Sequence, residues 1–334
     1  MIRSFYNGLL NPSGEGSKRY KLFVRAGVSI GILVALLWWL PTDVLLNAIA
    51  TVPWPVWTMV VAGFLLGHLF SSLKWRLLLT AVGVKISVAE AIRAHAAGLF
   101  ANLCLPSVVG GDVVRAAVVI RDHKRIESVA LGSLADRIND SFALVLLAAL
   151  AGMLIPDLAE IAAGKILVGA ALLLLSAVLA IFAFVRWFPA ARLPHKIEHF
   201  VLRIRDAQNS LIGSPGIAVI AFLMSFSIQG GFVLLNVILA NAMGIAASLS
   251  LWFFAWPMAK LIALAPVSLG GIGVREVALA GLMAPFGINP ALVVAQSLSW
   301  QVVLVGSGLF AGLVATVLPG YKRGMGKMKG VGCD

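Results

Sequence analysis

LPSVVGGDVVRAAVV, residues Leu105 to Val119, is written a second time in this chain, as APVSLGGIGVREVALA from Ala265 to Ala280. Adding 160 to the positions of Pro106, Gly110, Gly111 and Arg115 gives Pro266, Gly270, Gly271 and Arg275. In both copies a proline and paired glycines interrupt an apolar region, and one arginine follows where a helix can restart. Each copy therefore sets a cation, with Asp112 or Glu276 close by, into surroundings that are otherwise apolar.

The rest of the sequence makes those surroundings a membrane. Hydrophobic residues are 60% and charged residues 12% of the 334 positions, with a mean hydropathy of +0.99. A soluble domain has roughly 45–50% apolar and about 25% charged residues. The apolar stretches lack the alternation of outer-membrane strands, so the expected class is an all-α polytopic membrane protein. A net charge of +12 would suggest nucleic acid in a soluble protein. Here the basic residues sit between apolar runs, as topology signals and headgroup contacts do, and no nucleic-acid partner is expected. Cys104 and Cys333 are too few and too far apart for a disulfide framework or a metal site, and no cofactor is implied.

Reading the loops for charge gives an order of spans. A basic N-terminal segment, residues 1–21, precedes a retained first span over about Leu22 to Leu40, with no small-residue cleavage site after it. Span two follows Pro53 and runs uncharged to Leu73, where Lys74 and Arg76 are expected to grip inner headgroups. Residues 88–120 break at Pro106, Gly110 and Gly111 and are expected to form a re-entrant helix pair entering from the inner side. Ser141 to Pro156 is too short to cross a roughly 30 Å core, so the helix of span three must extend backwards. That draws Asp136, Arg137 and Asp140 into or just below the membrane, with Arg137 and Asp140 one helical turn apart and able to neutralise each other.

Span four, Ile166 to Val185, leads to a basic amphipathic linker over residues 190–213. Span five covers Ile217 to about Met243, a second broken pair covers 249–286, and span six covers Ala291 to Leu318. Gly308 and Gly312 within it make a packing face, and residues 319–334 form a basic tail. The offset of 160 also carries span two onto span five and span three onto span six. The expected organisation is thus two membrane repeats, 22–160 and 161–318, with six full spans and two re-entrant pairs. Three crossings per unit require the second to be inverted, and both termini to be cytoplasmic.

Inverted repeats with broken helices are the build of secondary transporters. A half-helix beginning at Gly110 or Gly270 exposes unpaired N–H groups and the positive end of its dipole, where an anion is favoured. Glycine lets that anion approach the backbone. Arg115 and Arg275 add guanidinium groups suited to phosphate oxygens, and Asp112 and Glu276 can pair them when the site is empty or carry a coupling proton. A purely structural role, the arginines locking the broken helices, is the alternative. An internal ion pair is the equivalent alternative for Asp136, Arg137 and Asp140, and His95 is expected to be a hydrogen-bonded packing residue.

These two motifs resemble the transmembrane-domain family of lysylphosphatidylglycerol synthetases, flippase-like integral membrane proteins of bacteria and archaea. The resemblance rests on Asn102, Leu105, Pro106, Gly110, Gly111, Asp112 and Arg115, and on Gly270, Gly271, Gly273, Arg275 and Glu276. Lys74, Trp75 and Arg76, and Asp136 with Arg137, also look like family positions. It implies a cell-membrane protein that moves a polar, phosphate-bearing lipid headgroup between leaflets, with those residues at the substrate and anionic lipids as partners. Bifunctional members carry a soluble aminoacyltransferase domain for which these residues leave no room, so lipid synthesis is not expected here.

Two further motifs carry less. HKIEH, with His195, Glu198 and His199, matches a zinc pattern but lies on the linker without a third ligand, and Gly14, Gly16 and Lys18 lack phosphate-loop spacing. A membrane-embedded transferase using Asp136 and Asp140 for Mg²⁺, or a non-catalytic partner subunit of a lipid-synthesis enzyme, are the alternatives to transport.

Overall fold

Prolines at first turns and side-chain caps start the helices of this protein. Pro215 and Pro290 open their helices where a missing N–H costs nothing, and Asn289 Oδ1 accepts from Ala291 N at 2.9 Å. A computed structural model describes residues 42–104, 110–155, 212–264 and 273–318, with nine isolated positions between 176 and 209. In order the helices are α1 (Thr42–Ala50), α2 (Trp54–Ala81), α3 (Val88–Cys104), α4 (Gly110–His123) and α5 (Ile126–Gly152). They continue with α6 (Pro215–Ala242), α7 (Leu249–Ile262), α8 (Val274–Met283), a 3-10 turn (Ala284–Phe286) and α9 (Pro290–Val317). The described residues contain no strand, so the protein is helical as expected.

Three helices, α2, α6 and α9, are long and apolar enough to cross a membrane. Each has 28 residues, about 42 Å at 1.5 Å per residue. Helix α5 begins at Ile126 and carries the charges at 136, 137 and 140 inside one continuous 27-residue helix. By contrast α3, α4, α7 and α8 have 17, 14, 14 and 10 residues, each shorter than a roughly 30 Å hydrocarbon core requires. Helix α2 runs on to Ala81, well past the expected end at Leu73.

The helices pack in matching sets. Helix α2 lies on α6, α3 on α9 and α5 on α7; α3 packs on α4 as α7 does on α8. Likewise α2 meets α5 and α9, and α6 meets α9 and α5. Glycines set the closest approaches: Gly308 and Gly312 of α9 receive Leu103 and Phe100 of α3, as their spacing implies. A side chain on Gly111 would collide with the Gly98 carbonyl and the Asn102 amide of α3, so α3 and α4 cross backbone to backbone.

One apolar core joins α1, α2, α5, α6, α7, α8 and α9 around Phe64, Trp252, Phe254 and Trp300. A second, around Trp75, Leu79 and Val119, lies between α2, α3, α4 and α5. Span one, most of span four and of the linker, the tail, Pro106, Gly270 and Gly271 lie outside the described residues.

Candidate functional site

Beside the first core is a cavity of about 270 Å³ with charged groups in its wall, and both motif arginines line it. Arg115 projects from the second turn of α4 and is 4% exposed, its guanidinium stacked 4.6 Å from the Trp75 ring centre. It reaches Asp136 of α5 at 3.0 Å and Asp112 of its own helix at 3.2 Å. Its Nε finds no acceptor among the described residues. The start of α4 is fixed by Gly111 N, which donates to Asn102 Oδ1 at 2.8 Å.

Arg275 is the second residue of α8, in its first turn, whereas Arg115 is the sixth of α4. Gly273, at φ 85°, turns the chain into the helix in a conformation that glycine alone adopts without strain, and its N–H donates to Glu276 Oε2 at 2.6 Å. Glu276 is buried and holds Arg275 at 2.9 Å. Arg275 also donates to the Ser297 hydroxyl at 3.3 Å and to Gln301 Oε1 at 3.0 Å on α9. Each motif arginine thus reaches across to the helix that follows it.

The structure adds residues that the sequence placed elsewhere. Lys74 was expected to grip headgroups; it is instead fully buried. Its ammonium touches Asp136 at 3.1 Å, Asp140, and the Ser225 hydroxyl at 2.8 Å. Hydrocarbon surroundings leave a lysine no water, so it goes where two carboxylates wait, and α2 continues as a helix past it. Asp140 is therefore coupled to Lys74, and Arg137 to Asp112 at 2.5 Å, in place of the pairing of Arg137 with Asp140 expected from their spacing. Tertiary packing offered each a partner from another helix.

His95 is buried and hydrogen-bonded as expected, but its partners belong to the site: His68 at 3.0 Å and Arg115 at 3.3 Å. Arg76 lies outside the cavity lining and donates to the Ile86 carbonyl at 2.8 Å, tying the loop between α2 and α3.

Lys260 of α7 is the other addition. It lines the cavity, donates to Gln229 Oε1 at 2.8 Å, and stands 5.0 Å from the Trp256 ring centre and 5.7 Å from that of Phe232. Among the described residues no carboxylate pairs with it. Lys74, Arg115 and Arg137 interlock with Asp112, Asp136 and Asp140, and Arg275 is matched by Glu276. Among the described residues, Lys260 is the lining cation with no carboxylate within ion-pair distance. A lysine alone in an apolar helix is itself a functional signal, and that signal was available at residue 260. Among the described residues no group of three or more metal-ligating side chains converges.

A sequence model of the lysylphosphatidylglycerol synthase TM region matches residues 26–312. A UPF0104 membrane protein of Methanothermobacter thermautotrophicus is 24% identical over 278 residues, which is 75% of this chain and 79% of that protein. With the family match spanning most of its length and both arginine motifs inside it, this chain belongs to the lysylphosphatidylglycerol synthase TM region family.

Proposed function

We propose that this protein is a flippase-like lipid transporter, and that the cavity receives the phosphate of a lipid headgroup moving between leaflets. The observation that carries this is Lys260, which among the described residues has no carboxylate within ion-pair distance and shares its cavity with Arg115 and Arg275. In a low-dielectric site a cation without a carboxylate favours an incoming anion strongly. Lipid phosphate is the anion that a membrane presents in quantity.

Alternating access fits the helix order. The bounds of α2 and α6 differ by 161 at both ends (54 to 215, 81 to 242), and those of α3 and α7 by 161 at their starts (88 to 249). The paired packing of α2 with α6, α3 with α9 and α5 with α7 supports two related units exchanging their last helices. We read the short pairs α3–α4 and α7–α8 as re-entrant, in a six-span protein of the cell membrane with cytoplasmic termini. Rocking one unit against the other would open the cavity to each side in turn. The transferase alternative draws no support from Asp136 and Asp140, whose oxygens face Lys74 and Arg115.

Transbilayer movement of fluorescent phosphatidylglycerol in reconstituted vesicles tests the proposal. Wild-type protein should accelerate it, and Lys260→Gln or Arg275→Ala should slow it by about tenfold or more. Movement no faster than in protein-free vesicles, or full activity in both variants, would overturn it. Absence of movement together with co-purification of a lipid-synthesis enzyme would favour the partner-subunit reading.

A further inference from the structure

An apolar groove of about 700 Å³ runs between α2 and α6 on the outside of the bundle. Leu66, Phe70, Leu223 and Leu234 line it and are each more than 40% exposed. Its glycines play two parts. Gly67 is covered by the Phe232 ring and Gly63 by Leu235, while a side chain added at Gly231 would meet no atom within 4 Å. Two residues, Ile228 and Phe232, line both this groove and the cavity, and both are buried. On the cavity side of that wall the Lys260 ammonium stands 5.7 Å from the Phe232 ring centre. Charge and hydrocarbon surface are thus separated by about one aromatic side chain.

Resting on the headgroup reading above, we infer that the groove holds one hydrocarbon chain of the same lipid whose phosphate occupies the cavity, with Phe232 and Ile228 as the side chains that swing aside to let its glycerol pass between the two. In a phospholipid the phosphate and the first chain carbons are separated only by a glycerol and an ester, which matches a partition one side chain thick. The ligand is then a lipid and not a soluble phosphate. Bilayer hydrocarbon is as apolar as the groove, so the tail gains alignment there and little affinity. Occupancy of the groove by this lipid must therefore depend on its headgroup, which distinguishes it from bulk lipid brushing the surface.

Full-length protein in phosphatidylcholine vesicles, doped with phosphatidylglycerol bearing a photoreactive group in its acyl chain, provides the test. Adducts are expected at Leu66, Phe70, Leu223 or Leu234. Their yield should fall about fivefold or more with diacylglycerol of the same chain, and equally in Lys260→Gln. Gly231→Trp should fill the groove and lower labelling to the same degree, with binding of glycerol phosphate to the purified protein unchanged. Gly306→Trp on α9, also facing open space, should change neither. Labelling independent of the headgroup, or cross-links from the groove to a second copy of the chain, would overturn the inference. Glycerol phosphate binding that ignores Lys260→Gln would instead strike the headgroup cavity itself.

Discussion

Lys74 Nζ of α2 lies 3.1 Å from Asp136 Oδ1 of α5, both side chains buried, and the other oxygen of Asp136 lies 3.0 Å from Arg115 of α4. One carboxylate thus joins three helices by two cations. Removing either cation leaves a buried charge uncompensated, so this carboxylate and its two cations hold α2, α4 and α5 together behind the cavity wall.

Lys74→Met is expected to destabilise the detergent-solubilised protein by about 3–5 kcal/mol, because it strands Asp140 without its ammonium and leaves Asp136 to Arg115 alone. Lys74→Met combined with Asp140→Asn should lose less than the sum of the two single changes. Thermal unfolding of the four proteins in a double-mutant cycle measures the coupling; additive losses would show that the pair contributes no specific interaction.

Lys260→Met should act in the opposite direction. It removes a charge that no described carboxylate pairs with directly, and methionine fills similar space beside Trp256 and Phe232. The melting temperature should rise while lipid movement falls, as for a residue retained for function at a cost in stability. A fall in melting temperature would mean that Lys260 holds the fold.

Arg115→Lys keeps the charge but cannot reproduce a guanidinium that stacks on Trp75 and reaches Asp112 and Asp136 together. Lipid movement should drop by about tenfold or more, measured at matched protein density in vesicles. Equal activity would show that charge alone suffices at this position.

Gly111→Ala should cost about 1–3 kcal/mol, since the added methyl meets the Asn102 side chain and the Gly98 carbonyl with no room to relax. Gly281→Ala, on α8 where nothing lies within 4 Å, should be neutral or stabilising by up to about 1 kcal/mol. Comparing their melting temperatures in one detergent separates tight helix crossing from a general effect of adding a methyl group.

Hydropathy and periodicity are local quantities, and what they govern was legible in the residues. Span five was expected from Ile217 to about Met243 and α6 runs Pro215–Ala242; span six was expected from Ala291 to Leu318 and α9 runs Pro290–Val317. The backward extension of span three also followed, because a helix too short for the bilayer has to recruit its neighbours. Charge partners were not legible. Hydrocarbon obliges Lys74 to find a carboxylate, yet the nearest in sequence has no claim over Asp140, 66 positions away, or over the Ser225 hydroxyl, 151 positions away.

By itself, then, the sequence determined a helical membrane protein, the placement of its long apolar helices, and two arginine motifs at a constant spacing. Only the tertiary structure decided that both motif arginines open on one cavity, that Lys74 closes an ion network beside it, and that Lys260 stands by Trp256 and Phe232 with no described carboxylate within ion-pair distance. The reason is physical: backbone hydrogen bonding inside a membrane is satisfied within each helix, whereas side-chain charges are satisfied between helices, by whichever partner the packing brings within reach.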